Sequence, residues 1–192
     1  MNTFRPLLLL ALFTSMAALT ATAQVETYKI DPAHSSVGFG IRHFFTKVPG
    51  VFTKFSGTIK VDRGNLEKSS VEASIEVASV NTAQTQRDAH LQSADFFLSS
   101  KFPTIAFKST SWKKTGETAY EVAGDLTIKD VTKPVVLKVN SLGFGPGMAG
   151  AMISGWEAST TLDRRDFGLS YGQGMVGNDV EVNINVEADL QR

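Results

Sequence analysis

Apolar and polar residues alternate with a period of two along most of the chain beyond residue 34. That is the pattern of strands burying one face. From Ser35 to Arg42, Val37, Phe39 and Ile41 share one face, with Gly38, Gly40 and Arg42 on the other. The pattern recurs from Phe55 to Asp62, from Val71 to Val80, through Ile105 and Phe107, and from Tyr120 to Ile128. It continues through Val135, Leu137 and Val139, from Met152 to Leu162, and from Val180 to Asp189. This predicts an all-β protein of about eight strands with one apolar face each. Asp62-Arg63-Gly64-Asn65 and Lys129-Asp130 read as hairpin turns, and Thr46 to Gly50 as a loop. Gly143 to Met148 and Tyr171 to Gly177 read as flexible connections, and Arg164-Arg165-Asp166 as a solvated turn with a local ion pair. Such strands either close into a barrel or stack as a sandwich, and the pattern alone leaves both open.

The alternation stops at residues 82–98. Gln84, Gln86, Arg87, Ala89, His90 and Leu91 tolerate helix without a β-branched run, and Ser93 is placed to cap a further turn. One or two short helices are therefore expected there, before Pro103 returns the chain to an extended path.

The first residues stand apart from the fold. Arg5, the apolar run from Leu7 to Phe13 continuing to Leu19, and Ala21-Thr22-Ala23 match a secretory signal peptide, with cleavage expected after Ala23. The run is short for a stable membrane span. Residues 1–23 are thus expected to be a leader, residues 24–192 one domain, and the periplasm the destination. With no cysteine, thiolate metal sites and disulfides are excluded and the core must hold the fold. The net charge is zero, so there is no basic excess to hold nucleic acid.

Candidate chemistry is sparse. The chain has 3 histidines, His34, His43 and His90, with no metal-binding spacing among them. There is no cofactor loop in the glycine-rich stretches. No catalytic or metal residues are expected. The aromatic balance says more: 13 Phe against 3 Tyr and 2 Trp. Phe39, Phe44, Phe45, Phe52 and Phe55, then Phe96, Phe97 and Phe107, suit a greasy tunnel and its mouth. Arg42, Arg87, His34 and His90 are available as donors for a polar head.

The order of motifs resembles the YceI-like family. Tyr28-Lys29-Ile30-Asp31-Pro32-Ala33-His34-Ser35 is similar to its first strand, and Arg87-Asp88-Ala89-His90-Leu91 with Asp95-Phe96-Phe97 to its helical insert. Lys101-Phe102-Pro103-Thr104-Ile105, the hairpin from Gly124 to Val135, and Arg165-Asp166-Phe167-Gly168-Leu169 follow in the family's order. The resemblance implies an eight-stranded antiparallel, lipocalin-like barrel with a deep apolar cavity. It implies binding of a polyisoprenoid or other long-chain amphiphilic lipid, such as an isoprenoid quinone, and no established catalysis. Residues 87–97 would then be the lid, with Leu91, Phe96 and Phe97 turned inward beside Phe39, Ile41, Phe52, Phe55 and Phe107. Two positions depart from the family pattern: Asp130 stands where glycine is expected, placing strain at that turn, and Leu98 where an acid is frequent. An enzyme acting on such a lipid through His34, Asp88 or His90 is the alternative, and a homodimer is left open.

Overall fold

The alternating segments pair into one antiparallel sheet that closes on itself. The structure, a computed structural model, describes residues 25–192, so the expected leader lies outside it. Its strand segments are β1 (Val25–Ile30), β2 (Ser36–His43), β3 (Thr46–Phe52), β4 (Phe55–Asp62), β5 (Ser70–Glu76) and β6 (Val80–Asn81). They continue as β7 (Thr104–Lys114), β8 (Ala119–Ile128), β9 (Val131–Pro146), β10 (Met152–Asp163) and β11 (Val176–Leu190). One helix, α1 (Thr85–Gln92), stands between β6 and β7.

Eleven segments make eight staves. β11 pairs with β2 over Val176–Asn185 and with β1 over Ala188–Leu190, so β1 and β2 are halves of one broken strand. β3 and β4 pair with β2 and β1 in turn, and β6 and β5 with β3 and β4. Each stave then neighbours the next in sequence until β11 returns to β1. Closure removes the free edge strands that a sandwich retains, apart from a short gap along β3.

Local chemistry sets the breaks and turns, and some differ from the sequence reading. Thr46 to Gly50 is strand rather than loop, and the turn is Phe44-Phe45, with His43 opposite Thr46. Pro49 is tolerated because β3 meets β6 only at Val51 and Phe52, leaving an unpaired edge beside the proline. The run from Val71 to Val80 is interrupted by a 3-10 turn at Val77–Ser79. Gly143 to Pro146 belongs to β9 instead of a loose connection. At Asp62, the carboxylate accepts from the amides of Gly64 and Asn65 at 3.0 Å each, and a 3-10 turn at Leu66–Lys68 follows before β5. Lys129-Asp130 is a two-residue hairpin turn, but the left-handed residue is Lys129, φ 58, not Asp130.

Two apolar clusters fill the barrel's ends. One gathers Tyr28, Ile59, Val61, Trp112, Tyr120 and Trp156, and the other Val37, Phe52, Ile105, Ile128, Phe167 and Leu169. The helical insert packs on the second. It contains one α-helix, and residues 93–101 form irregular turns in place of a second. The Gln84 side chain caps α1 by accepting from the Arg87 amide at 2.5 Å. Buried Thr82 ties the helix down. Its amide and hydroxyl donate to Asp88 Oδ1 at 2.8 and 2.5 Å, and Arg87 donates to its hydroxyl and carbonyl, each at 2.7 Å.

Candidate functional site: an apolar lumen with a polar mouth

Between the two clusters the barrel encloses a cavity of about 570 Å³. Period-two alternation builds its wall, because every second residue of a closed sheet faces the axis. Val180, Val182, Ile184 and Val186 of β11 line it in sequence, and all four are only half-buried. Inward-facing aliphatic side chains remain half-buried only where nothing packs against them across the lumen. Trp112 and Trp156 form the floor, with Ile59, Val122 and Val139. Phe39 and Phe107 lie flat along the wall rather than across the axis. Each ring rests on a glycine of a neighbouring strand: a Cβ at Gly50 would come within 2.2 Å of Phe39, and one at Gly124 within 2.4 Å of Phe107.

Three elements frame the mouth: α1 with Arg87 and His90, the β2–β3 hairpin with His43 and Val48, and the β10–β11 connection with Tyr171, Gly172 and Met175. His90, Phe96 and Tyr171 meet pairwise with ring centroids 4.9 to 5.2 Å apart, joining the insert to that connection. His90 Nε2 lies 2.8 Å from Asp95 Oδ2.

The structure divides the expected ligand residues. Phe39, Ile41, Phe52, Phe55 and Phe107 line the lumen from the strands. Arg87, His90, Leu91, Phe96 and Phe97 line it from the insert. His34, Arg42, Phe44 and Phe45 do not. Arg42 faces outward by the same alternation that turns Ile41 and His43 inward. Phe44 and Phe45 are the hairpin turn itself and project beyond the barrel, Phe45 being 94% exposed.

His34 occupies the break between β1 and β2, outside the barrel. Its Nδ1 is 2.5 Å from Asp31 Oδ2 and 3.8 Å from Glu187 Oε1. Asp31 also accepts from the Ala33 amide at 2.9 Å, and its own amide donates to the Glu187 carbonyl at 2.9 Å. The hydrogen bond from His34 holds the Asp31 carboxyl below its usual range, and the same bond raises His34. Among the described residues this is the group whose ligand atoms, all within 4.8 Å, could hold a metal ion. Its bonds are those of a clamp on the strand break, because Asp31 already serves both His34 and the Ala33 amide.

Sequence reasoning missed Trp112 and Trp156, His43, and Arg164. Arg164 is not part of a solvated turn. It is buried, and its guanidinium donates to the carbonyls of Gly177 and Tyr171 at 2.7 Å, Leu169 at 2.5 Å and Val176 at 3.1 Å. Burial pushes its pKa below the usual arginine value. The solvated ion pair belongs to its neighbour, Arg165 with Asp163 at 2.5 Å. For His43, continued alternation from Ile41 was the available signal. For Arg164 no local signal exists, because its partners come from residues 169–177.

A closed eight-stranded antiparallel barrel around an apolar lumen, with a helical insert at the mouth, is lipocalin-like in architecture. The chain belongs to the YceI-like family: a model of the YceI-like domain matches residues 28–188. It is 37% identical over 186 residues to a UPF0312 protein of Ectopseudomonas mendocina, covering 95% of this chain and 97% of that one. It is 36% identical over 183 residues to Protein YceI of Escherichia coli O6:H1, covering 94% and 95%. The crystal structure of the Campylobacter jejuni YCEI protein is similar with a TM-score of 0.72 at 33% identity, covering 84% of this chain and 96% of that one. A polyisoprenoid binding domain from Saccharophagus degradans shares the fold, with a TM-score of 0.66 at 14% identity and coverage of 85% and 98%.

Proposed function

We propose that this protein binds a long-chain isoprenoid or similar amphiphilic lipid, such as an isoprenoid quinone, in the barrel lumen and carries or stores it in the periplasm. The observation that carries the reading is the unfilled apolar axis, which Val180, Val182, Ile184 and Val186 line from one strand while remaining only half-buried. At about 570 Å³ the cavity falls within the usual range for ligand pockets, roughly 300–1,000 Å³. Each methylene taken from water into it stabilises the complex by about 0.8 kcal/mol, so a long tail binds tightly with few polar contacts. Arg87, His90 and His43 at the mouth supply donors for a head group. The fold shared with a polyisoprenoid binding domain and the leader-like residues 1–23 support the ligand class and the compartment respectively.

The geometry favours binding over catalysis. The residues on which an enzyme acting on such a lipid would rely are apart. His34 sits outside the barrel, Asp88 is tied to Thr82, and His90 to Asp95. A general acid or base must reach a substrate atom within hydrogen-bond distance, and the three do not converge. The test is to purify the protein, denature it, extract with organic solvent and run mass spectrometry. Release of a stoichiometric long-chain isoprenoid is expected. No long-chain molecule released, together with no uptake of added isoprenoid quinone, contradicts the proposal.

A further inference from the structure

We propose that the tip of the β2–β3 hairpin is a membrane-docking element that seats the mouth of the barrel on an anionic phospholipid surface. The purpose of such docking rests on the lipid-carrier reading, but the geometry that supports it does not. Phe45 is 94% exposed and Phe44 53% exposed at a convex two-residue turn. Large aromatic side chains on a monomer's surface are normally scattered, and clustered ones mark interaction sites. Here the backbone fixes them outward. Phe44 adopts φ 49, a left-handed conformation that strains a bulky residue. It is held by its amide donating to the Met175 carbonyl at 2.9 Å, while Arg42 Nη1 donates to the Phe45 carbonyl at 3.1 Å.

The apolar surface does not stop at the tip. Met175 and Tyr171 are exposed beside it and also line the mouth, so an apolar path leads from Phe44 into the lumen. Charge points to the same partner. Lys47 is paired with Glu181 at 2.5 Å and His90 with Asp95 at 2.8 Å. Arg42 and Arg87 have no carboxylate within 4.0 Å among the described residues. Apolar rings beside an arginine, Arg42, that no carboxylate neutralises match the boundary between anionic headgroups and acyl chains, roughly 5–10 Å deep. A convex tip of two residues offers little of the roughly 1,200–2,000 Å² that a stable protein interface buries.

The test compares the wild type with the double variant Phe44→Asn, Phe45→Ser, chosen because asparagine accepts a left-handed φ. Circular dichroism melting confirms that both are folded. Co-sedimentation with vesicles of phosphatidylethanolamine and phosphatidylglycerol at 3:1 is then measured. Binding of the wild type, weakened about tenfold or more in the variant and by added salt, is expected. In vesicle-free solution, quenching of Trp112 and Trp156 by an isoprenoid quinone reports the lumen separately, and the variant should match the wild type. Equal co-sedimentation of the two proteins overturns the proposal. So does a wild-type dimer, seen by light scattering, that the variant converts to monomer, since the tip is then a self-interface. Absent quenching with retained vesicle binding leaves the docking element standing and removes the carrier reading instead.

Discussion

Trp112 and Trp156 meet edge to face at the bottom of the lumen, with ring centroids 5.6 Å apart and planes at 85°. They differ in one respect. Trp156 Nε1 donates to the buried Ser154 hydroxyl at 3.0 Å, whereas Trp112 Nε1 is buried without a partner among the described residues. A buried donor left unpaired costs about 1–3 kcal/mol. Trp112→Phe removes that orphan, while Trp156→Phe takes the donor from the Ser154 hydroxyl and leaves it only its own long bond to the Ala188 carbonyl, at 3.5 Å. In urea denaturation, Trp156→Phe should therefore lose about 1 kcal/mol more than Trp112→Phe. Equal losses would show that the two N–H groups are equivalently satisfied in solution.

Gly50 keeps the lumen open by giving Phe39 somewhere to lie. The ring covers its cross-strand glycine so closely that an alanine methyl has no room beside it. Gly50→Ala should push Phe39 toward the axis, destabilising the barrel by roughly 1–3 kcal/mol and weakening uptake of a long-chain probe. Gly145→Ala, whose added Cβ meets nothing within 4 Å among the described residues beyond its chain neighbours, is the control and should retain uptake. A thermal melt and a binding titration on each variant decide it.

Arg164 organises the β10–β11 connection that walls one side of the mouth. Four backbone carbonyls depend on its planar fork. Lysine keeps the charge but presents its donors from one point and cannot reach all four. Arg164→Lys should thus cost about 3 kcal/mol or more and raise hydrogen exchange at residues 169–177. A variant as stable and as protected as the wild type would refute this role.

The His34–Asp31 clamp carries a pH signature. The hydrogen bond that His34 donates to Asp31 raises the His34 pKa above its usual value. A group raised on folding contributes stability that is fully present below its unfolded pKa, about 6.5, and is lost as pH rises through the folded value. The melting temperature gap between wild type and His34→Gln should accordingly be largest below pH 6 and shrink on the alkaline side. Asp31→Asn should bring the His34 titration, followed by NMR, back toward the ordinary value. An unchanged His34 titration in that variant would show that the pair does not form.

Much of the barrel is legible because its physics is local. Residues 37, 39 and 41, or 180, 182, 184 and 186, declare their inward face by alternation alone. The breaks are not. The 3-10 turn at Val77–Ser79 preserves the apolar spacing of the flanking strands and so hides within it. Pro49-Gly50 carries the signals of a turn, but an unpaired strand edge absorbs the missing N–H. The real turn, Phe44-Phe45, has none of the residues that favour one. Its left-handed phenylalanine is stabilised from residue 175, far along the chain. In the lumen, the phenylalanines on strands and insert were readable as an aromatic excess. The tryptophan floor was not, because single aromatics on separate strands reveal their contact only once the strands are in register. Arg164 was misread for a related reason: arginine beside arginine and aspartate is ordinarily surface chemistry, and only the returning chain encloses it.

The central claim is that a lipid tail occupies the axis between the β11 side chains and the tryptophan floor. The direct measurement is quenching of Trp112 and Trp156 fluorescence on titration with an isoprenoid quinone, for the wild type and for Ile184→Trp, which fills the lumen halfway along. Saturable one-to-one quenching in the wild type, abolished in Ile184→Trp while the fold persists, is the predicted result. Absence of saturable quenching, or identical titrations for the two proteins, would contradict it.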